Sequence, residues 1–391
     1  MVEFVKKATN VLRWRIFNFN SKLLYALYQI PASTYEKSER KYYLMNKKRL
    51  IQGRRDFRKG ELQHFVETLD TQRNDMYHSK AERRHIIRDF IYCYKTYGVV
   101  AEDYFYRGFS KMTEEQRDCV ISRWRQFHIK ESLNPKNKCY LVDDKVEFMH
   151  TFRDFLGRIA EDLRTASKES FEDMLKKCTA VMIKPINGSG GKGIQKVSCE
   201  NLSDDDICRL YAQYSGKDFL VEECIEQTGI LHELNPSSVN TVRISTLNDG
   251  KTVVPFGAFV RVGKAGAVVD NLHSGGISWP VNHHTGVVSE TGFDGIGREY
   301  QMHPDSSIRV AGLQLPNWEE ALEKVCNAAQ LVPQLGYVSW DVVISEDRVL
   351  LIEANANGGA GKPYKADYNM WQYIKEYMDR TLGEDRPMGY F

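Results

Sequence analysis

The segment Lys184-Pro185-Ile186-Asn187-Gly188-Ser189-Gly190-Gly191-Lys192-Gly193 joins flexible backbone to two cations. Glycines let main-chain amides come close to phosphate oxygens, while Lys184 and Lys192 neutralise charge from opposite sides, so the loop suits a polyphosphate better than an unspecialised turn. Farther along, Asp341 and Glu353 stand in otherwise apolar runs, with Asn355 two residues beyond Glu353. On two adjacent strands these three would form one edge of hard oxygen donors, the set that Mg2+ between phosphate groups requires. A charge placed in such runs without a cation or a hydrogen-bonded partner is expensive, and a structural polar network is the competing reading.

Between these segments lies Asn240-Thr241-Val242-Arg243-Ile244-Ser245, a β-like run carrying one forked donor. Arg243 suits a carboxylate or a transferred phosphoryl group, and its bland alternative is a salt bridge at a domain junction. Arg261 has a weaker form of the same claim. The run at 219–227 is apolar and ends in the acceptors Glu222 and Glu223, followed by Ile225 and Gln227. It reads as an edge for adenine and ribose, or as a strand leaving the core for solvent. The turn-rich stretch 269–280 offers Asn271 and His273 to a variable substrate, with Gly275 and Gly276 permitting closure. His273 lacks an identified carboxylate partner, so a role as base is not specified, and His283-His284 alone does not make a zinc site.

Several other labels fail on neighbouring residues. Gly188, Gly190 and Gly193 spell GxGxxG, but Ile194-Gln195-Lys196-Val197 reads as a strand where dinucleotide recognition needs a helix. A phosphate loop of Walker type needs Ser or Thr after its lysine, and Lys192 precedes Gly193. Neither HRD nor DFG occurs, which excludes the protein-kinase pattern.

Positioning these groups requires strands, and the chain supplies them late. Residues 1–133 read as mainly helical, with candidates at 38–70, 81–97 and 113–129, and the polar turn Asn134-Pro135-Lys136-Asn137 marks the expected boundary with a region at 134–391. Asp144 opens an apolar-periodic helix containing Phe148, Phe152, Phe155 and Leu156. From about residue 180, short β-compatible runs at 180–183, 193–197, 219–221, 241–247 and 253–262 alternate with turns. A helix at 318–331 then precedes strands at 338–344 and 349–352. The expected class is α+β with substantial antiparallel pairing.

Composition is that of a soluble globular chain, with 391 residues, 42% hydrophobic and 27% charged, enough for more than one core. The eight cysteines include no CxxC pair, which excludes a zinc knuckle or a disulfide framework and fits a reducing cytoplasm. Net charge is +2, yet residues 1–60 hold 15 Lys and Arg against four Asp and Glu, leaving +11 there and −9 elsewhere. With Trp14, Phe17, Phe19, Tyr25 and Tyr28 interleaved, this terminus is a solvated or domain-packing surface or a peripheral contact with anionic membrane. Arg13, Arg15 and Lys22 argue against a spanning helix or a signal peptide. Nucleic acid is the weakest partner class, because no recognition motif accompanies the charge. The sequence does not specify the oligomeric state.

Taken in order, Lys184-Pro185 with its glycine loop, Glu222/Glu223, Asn240-Thr241-Val242-Arg243, Asp341 and Glu353-Ala354-Asn355 resemble the ATP-grasp superfamily. The likeness is greatest to the sugar-transfer-associated branch related to alpha-L-glutamate ligases, and it extends over roughly 94–377. The resemblance implies a nucleotide cleft between two α+β lobes, preceded here by a helical region. It assigns Lys184 and the loop Gly188, Ser189, Gly190, Gly191, Lys192 and Gly193 to the phosphates of ATP, and the Glu222 to Ile225 strand to the adenine side. Lys145 takes an earlier ATP contact, and Asp341, Glu353 and Asn355 take one or two Mg2+ ions. It further implies attack of a carboxylate on the γ-phosphorus and capture of the acylphosphate by an amine, with Lys184, Lys192 and Arg243 stabilising developing charge. The acid and acceptor would be an amino acid, peptide, sugar acid or cell-envelope glycan precursor. Transfer of phosphate to another acceptor, and ATP-dependent regulation without turnover, remain open alternatives.

Overall fold

The computed structural model describes residues 60–187, 193–264, 266–267, 269–364 and 369–382. The expectations for the basic terminus and for a helix at 38–59 lie outside these residues. The described chain divides into two compact units, one from residues 60–118 and 122–128, the other from residues 119–121 and 129–382.

The first unit is helical. Helices α1 (Leu62–Thr71), α2 (Lys80–Tyr97) and α3 (Ala101–Arg107) follow one another. Ser79 starts α2 by accepting from the Glu82 amide at 3.1 Å, and Gly98 ends it at φ 66°, the left-handed geometry that relieves the last carbonyls. Phe65 of α1 stacks on Phe90 of α2 with ring centroids 3.9 Å apart, and Phe105 of α3 covers its other neighbour position at 4.7 Å. The single helix expected at 113–129 is instead two, Glu114–Asp118 and Arg123–Leu133. Ser122 donates to the Tyr97 carbonyl and accepts from the Arg125 amide, so a capping residue restarts the helix where periodicity alone runs straight through.

In the second unit Asp144 caps α4 (Lys145–Thr151), accepting from the amides of Val146 and Glu147 at 2.8 and 3.0 Å. A four-stranded antiparallel sheet follows, built from β1 (Ala160–Asp162), β2 (Ala180–Pro185), β3 (Gln195–Ser198) and β4 (Phe219–Glu223) in the order β1-β4-β2-β3. Helices α5 (Lys168–Lys177) and α6 (Asp204–Tyr214) cover one side through Phe171, Met174, Leu175 and Ile207 on Val181, Ile183 and Val221.

A seven-stranded antiparallel sheet completes the unit: β5 (Thr241–Asn248), β6 (Val253–Val262), β7 (Ile277–Val281), β8 (Gly292–Asp294), β9 (Glu299–Tyr300), β10 (Tyr337–Ile344) and β11 (Val349–Asn355), ordered β11-β10-β5-β6-β7-β8-β9. The stretch at 269–280 reads as turn-rich, yet its last residues enter Ile277–Val281, an entirely buried strand. Its Pro280 and shortness mask the strand signal.

Alternation splits the large sheet into two chemistries. Val242, Ile244, Val260, Trp340, Val342, Leu351 and Ala354 share a core with Trp318, Ala321 and Val325 of α7 (Trp318–Gln330). Each large side chain buried there contributes on the order of 2 kcal/mol. The opposite face is apolar at one end, where Leu247, Phe256 and Tyr337 meet Met370, Ile374 and Met378 of α8 (Met370–Leu382). At the other end of that face the residues are charged.

Candidate active site

The charged end is a single cross-strand row. Pairing sets Phe259 of β6 opposite Arg243 of β5, Arg243 opposite Asp341 of β10, and Asp341 opposite Glu353 of β11. Directly opposed residues point to the same side of a sheet, so strand register alone gathers them. The next row of that face is Ser245, Ser339 and Asn355, with the two serine hydroxyls 2.8 Å apart.

A β-bulge makes the row possible. Between Asp341 and Val342 the partner on β11 jumps from Glu353 to Leu351, leaving Ile352 as the extra residue. Strict alternation would put residues 351 and 353 on one face; the bulge sends Leu351 into the core and turns Glu353 outward.

Asp341 is 1% exposed and is gripped by two guanidinium groups. Arg243 binds it through Nε and a terminal nitrogen, each at 2.6 Å, and Arg261 reaches Oδ2 at 2.9 Å. Arg261 also donates to the Thr241 hydroxyl at 2.6 Å and lies 3.5 Å from Asp270. Burial alone would raise the Asp341 carboxyl, but Arg243 and Arg261 outweigh it and hold the acid well below the usual carboxylate range. Glu353 moves the other way: the surrounding protein, then the neighbouring Asp341 charge, push it up.

These donors fit a magnesium ion. A carboxylate offers about four lone-pair sites, and three of those on Asp341 go to the arginines, with Glu353 the neighbour of the fourth. Glu353 is solvent-exposed although protein crowds it, and it accepts from the Asn355 amide at 3.4 Å. Among the described residues no group of three or more His, Cys, Asp or Glu could hold a metal. Two carboxylates and an amide oxygen could supply only part of a shell, and Mg2+ can take its remaining oxygens from phosphates and water.

The small sheet brings the second half. Lys184, near the end of β2, meets the Glu222 carboxylate of β4 at 2.6 Å. Arg158 binds the same oxygen at 3.2 Å and donates to the main-chain carbonyls of Leu351 and Ile352 at 2.7 and 3.1 Å. Burial opposes ionisation of Glu222, but Arg158 and then Lys184 prevail and bring it down to about 2. Lys145, the first residue of α4, donates to the Pro185 and Ile186 carbonyls at 3.2 and 2.9 Å, at the threshold of the glycine loop. Burial lowers its pKa, and the charges of Glu353, Lys184 and Glu222 all act on its ammonium group. Glu353 is thus near both halves.

The other expected site residues are distributed differently. Gly188, Ser189, Gly190, Gly191 and Lys192 lie outside the described residues, as does the His273 side chain. Gly193, at φ 76° and with Pro185 Cγ 3.0 Å from where a Cβ would stand, brings the loop back into β3. Glu223 accepts from the Ile159 amide at 3.1 Å on the face opposite Glu222, and Ile225 is half-buried just beyond β4. Asn271 uses its carbonyl to close a turn onto the Ser274 and Gly276 amides. Gln227 was expected at the nucleotide edge; it is instead a buried clip, its amide joined to the Asn240 carbonyl at 2.8 Å and the Ile344 carbonyl at 3.1 Å. Arg158 was not anticipated, since no local pattern distinguishes it from a surface arginine.

A helical region followed by two antiparallel lobes, with lysines on the smaller and a carboxylate row on the larger, is ATP-grasp architecture. Residues 124–364 match the family model described as sugar-transfer associated ATP-grasp, and the chain belongs to that family. Among solved structures it is similar to the ATP-grasp ligase PsnB complexed with minimal precursor, Mg and ADP, at 15% identity and TM-score 0.37 over 63% of this chain and 62% of that one. It is also similar to N5-carboxyaminoimidazole synthase from Aspergillus clavatus in complex with ADP and 5-aminoimidazole ribonucleotide, at 10% identity and TM-score 0.34 over 61% and 51%. A third is the biotin carboxylase domain of the Hydrogenobacter thermophilus 2-oxoglutarate carboxylase, at 14% identity and TM-score 0.37 over 64% and 47%. The chain spans 47% to 62% of the lengths of these three. No curated protein matches the sequence.

Proposed function

We propose that the protein is an ATP- and Mg2+-dependent carboxylate–amine ligase, with residues 134–391 as its catalytic region and residues 1–133 as a helical addition. The observation that carries this reading is Glu353, exposed opposite the Arg243-bound Asp341 on the large sheet, with its charge acting on the Lys145 ammonium, so that hard oxygen donors and a cation serve one position. Lys145, Lys184 and Lys192 would hold ATP phosphates, and Glu353, Asn355 and the remaining Asp341 lone pair would hold magnesium. The ion's contribution is charge neutralisation between phosphate oxygens.

A substrate carboxylate oxygen attacks the γ-phosphorus; the new O–P bond forms as the bond to ADP breaks, and ADP leaves with that electron pair. Arg243 would orient the carboxylate or the transferring group. An amine nitrogen then attacks the acyl carbon, phosphate departs with the C–O pair, and the amine proton passes to solvent. The acids and acceptors would be amino acids, peptides, sugar acids or cell-envelope glycan precursors, with Arg261, Asn271 and His273 on the substrate side.

The test is purified protein with MgATP and mixed carboxylates and amines, followed by ADP, phosphate and product mass. A condensed product with one ADP and one phosphate per turnover is expected. Phosphate retained on the acceptor would make the protein a kinase, and nucleotide binding with no turnover would make it a regulator. No helix among the described residues is long and apolar enough to cross a membrane. The charge of residues 1–60 supports cytoplasmic work at an anionic membrane surface, so salt-sensitive binding to phosphatidylserine vesicles is expected and its absence refutes the contact.

A further inference from the structure

Lys184 is the lysine most directly aimed at phosphate in the reading above, yet its ammonium sits on a buried carboxylate. A lysine neutralised in that way gains little from a phosphate unless the carboxylate it abandons keeps a counter-charge, because an isolated buried carboxylate is far more costly than a paired one. Arg158 supplies that counter-charge. Its side chain is 3% exposed, and its guanidinium binds the Glu222 oxygen that also accepts from Lys184. Its remaining donors reach Leu351 and Ile352, the bulged segment that turns Glu353 outward.

We propose that Arg158 is a positioning residue that holds Glu222 so that Lys184 can leave it for nucleotide phosphate, and that the same guanidinium ties this exchange to the strand bearing Glu353. The inference rests on the ligase reading only for its nucleotide step. One carboxylate between two cations carries a net positive charge; when Lys184 swings away, the Arg158–Glu222 pair remains neutral and hydrogen-bonded. The difference between the cations fits these roles. Lys is a single point charge on a flexible stem, able to change partner, whereas the planar fork of Arg serves several acceptors at once. Lys184 has a 20% exposed side chain against 3% for Arg158, so only the lysine has room to move.

The experiment measures binding of Mg-AMPPNP and MgADP to the full chain by calorimetry. Arg158→Gln removes the charge together with the terminal donors to the two β11 carbonyls, its amide reaching only as far as the arginine Nε, and its affinity for Mg-AMPPNP is expected to fall at least about tenfold, equivalent to 1.4 kcal/mol. Arg158→Lys keeps the charge and is expected to stay within about threefold of the parent. The decisive readout is rescue: adding Glu222→Gln to Arg158→Gln removes the carboxylate that would trap Lys184, and affinity should return to within about threefold. A merely structural arginine would show no such rescue. Parental affinity in Arg158→Gln, equal loss in Arg158→Lys, or a double variant as weak as Arg158→Gln each overturns the proposal. If Arg158→Gln does not fold, the affinity of Arg158→Lys alone decides. Failure of the parent protein to bind either nucleotide would instead refute the ligase reading.

Discussion

Two buried acids in this protein each sit between two cations, and they do so in different ways. Asp341 and both of its arginines belong to adjacent or near-adjacent strands of one sheet, so ladder register fixes all three. Glu222 draws Lys184 from the neighbouring strand and Arg158 from the connection preceding β1, and Arg158 reaches across to β11 of the other sheet. The first cluster is locked by backbone pairing and is suited to holding a geometry. The second contains one partly exposed cation and a link between sheets, as a change of partner would require. Equal charge counts therefore do not imply equal roles; what matters is whether the cations share a rigid element with the acid.

The largest effect expected from breaking this contrast is at Asp341. Asp341→Asn leaves Arg243 buried without its acid and Arg261 with only the more distant Asp270, and urea unfolding should show a loss of about 3–5 kcal/mol. Acid offers a milder attack on the other cluster. The Glu222 carboxyl falls from an ordinary 4.5 to about 2 on folding, so its stabilisation is complete above the unfolded value and is lost as pH drops toward the folded one. The shift corresponds to ~3 kcal/mol; the urea midpoint should decline between pH 5 and pH 2 more steeply in the parent than in Glu222→Gln. Equal slopes would remove the carboxylate from the account.

Glu353 sharpens the comparison because it adjoins the rigid cluster without being gripped by it. Glu353→Gln should reduce magnesium-supported nucleotide turnover on the order of 100-fold while leaving the melting temperature nearly unchanged. A large drop in stability with turnover intact would make it a structural residue. The smallest effect is at the loop: Gly193→Ala must adopt φ 76° beside Pro185 and should cost about 1 kcal/mol of stability.

Much of the large sheet is legible in the amino-acid sequence. The expected strand at 253–262 is the observed β6, the helix at 318–331 differs from α7 by one residue, and the Asp144 cap is present. These segments are long and periodic or carry a capping residue, so local physics speaks for them. Less legible were the short strands Ala160–Asp162, Gly292–Asp294 and Glu299–Tyr300, which have too few residues for any period to register and exist through their neighbours. Gln227 illustrates the same limit at the level of a side chain. Its position after an apolar strand suggested a ligand edge, whereas its burial between Asn240 and Ile344 depends on residues distant in sequence.

The amino-acid order by itself determined the chemistry on offer: a lysine before a glycine loop, an arginine within a β run, and carboxylates on two consecutive apolar runs. Those follow from residue type and spacing, which act over a few positions. Only tertiary structure decided which charges meet. The bulge at Ile352 set the outward turn of Glu353, cross-strand register put two arginines on Asp341, and Arg158 joined Glu222 to β11 across 193 residues of chain. Burial makes such meetings selective, because a charge removed from water must find its partner wherever the fold brings one.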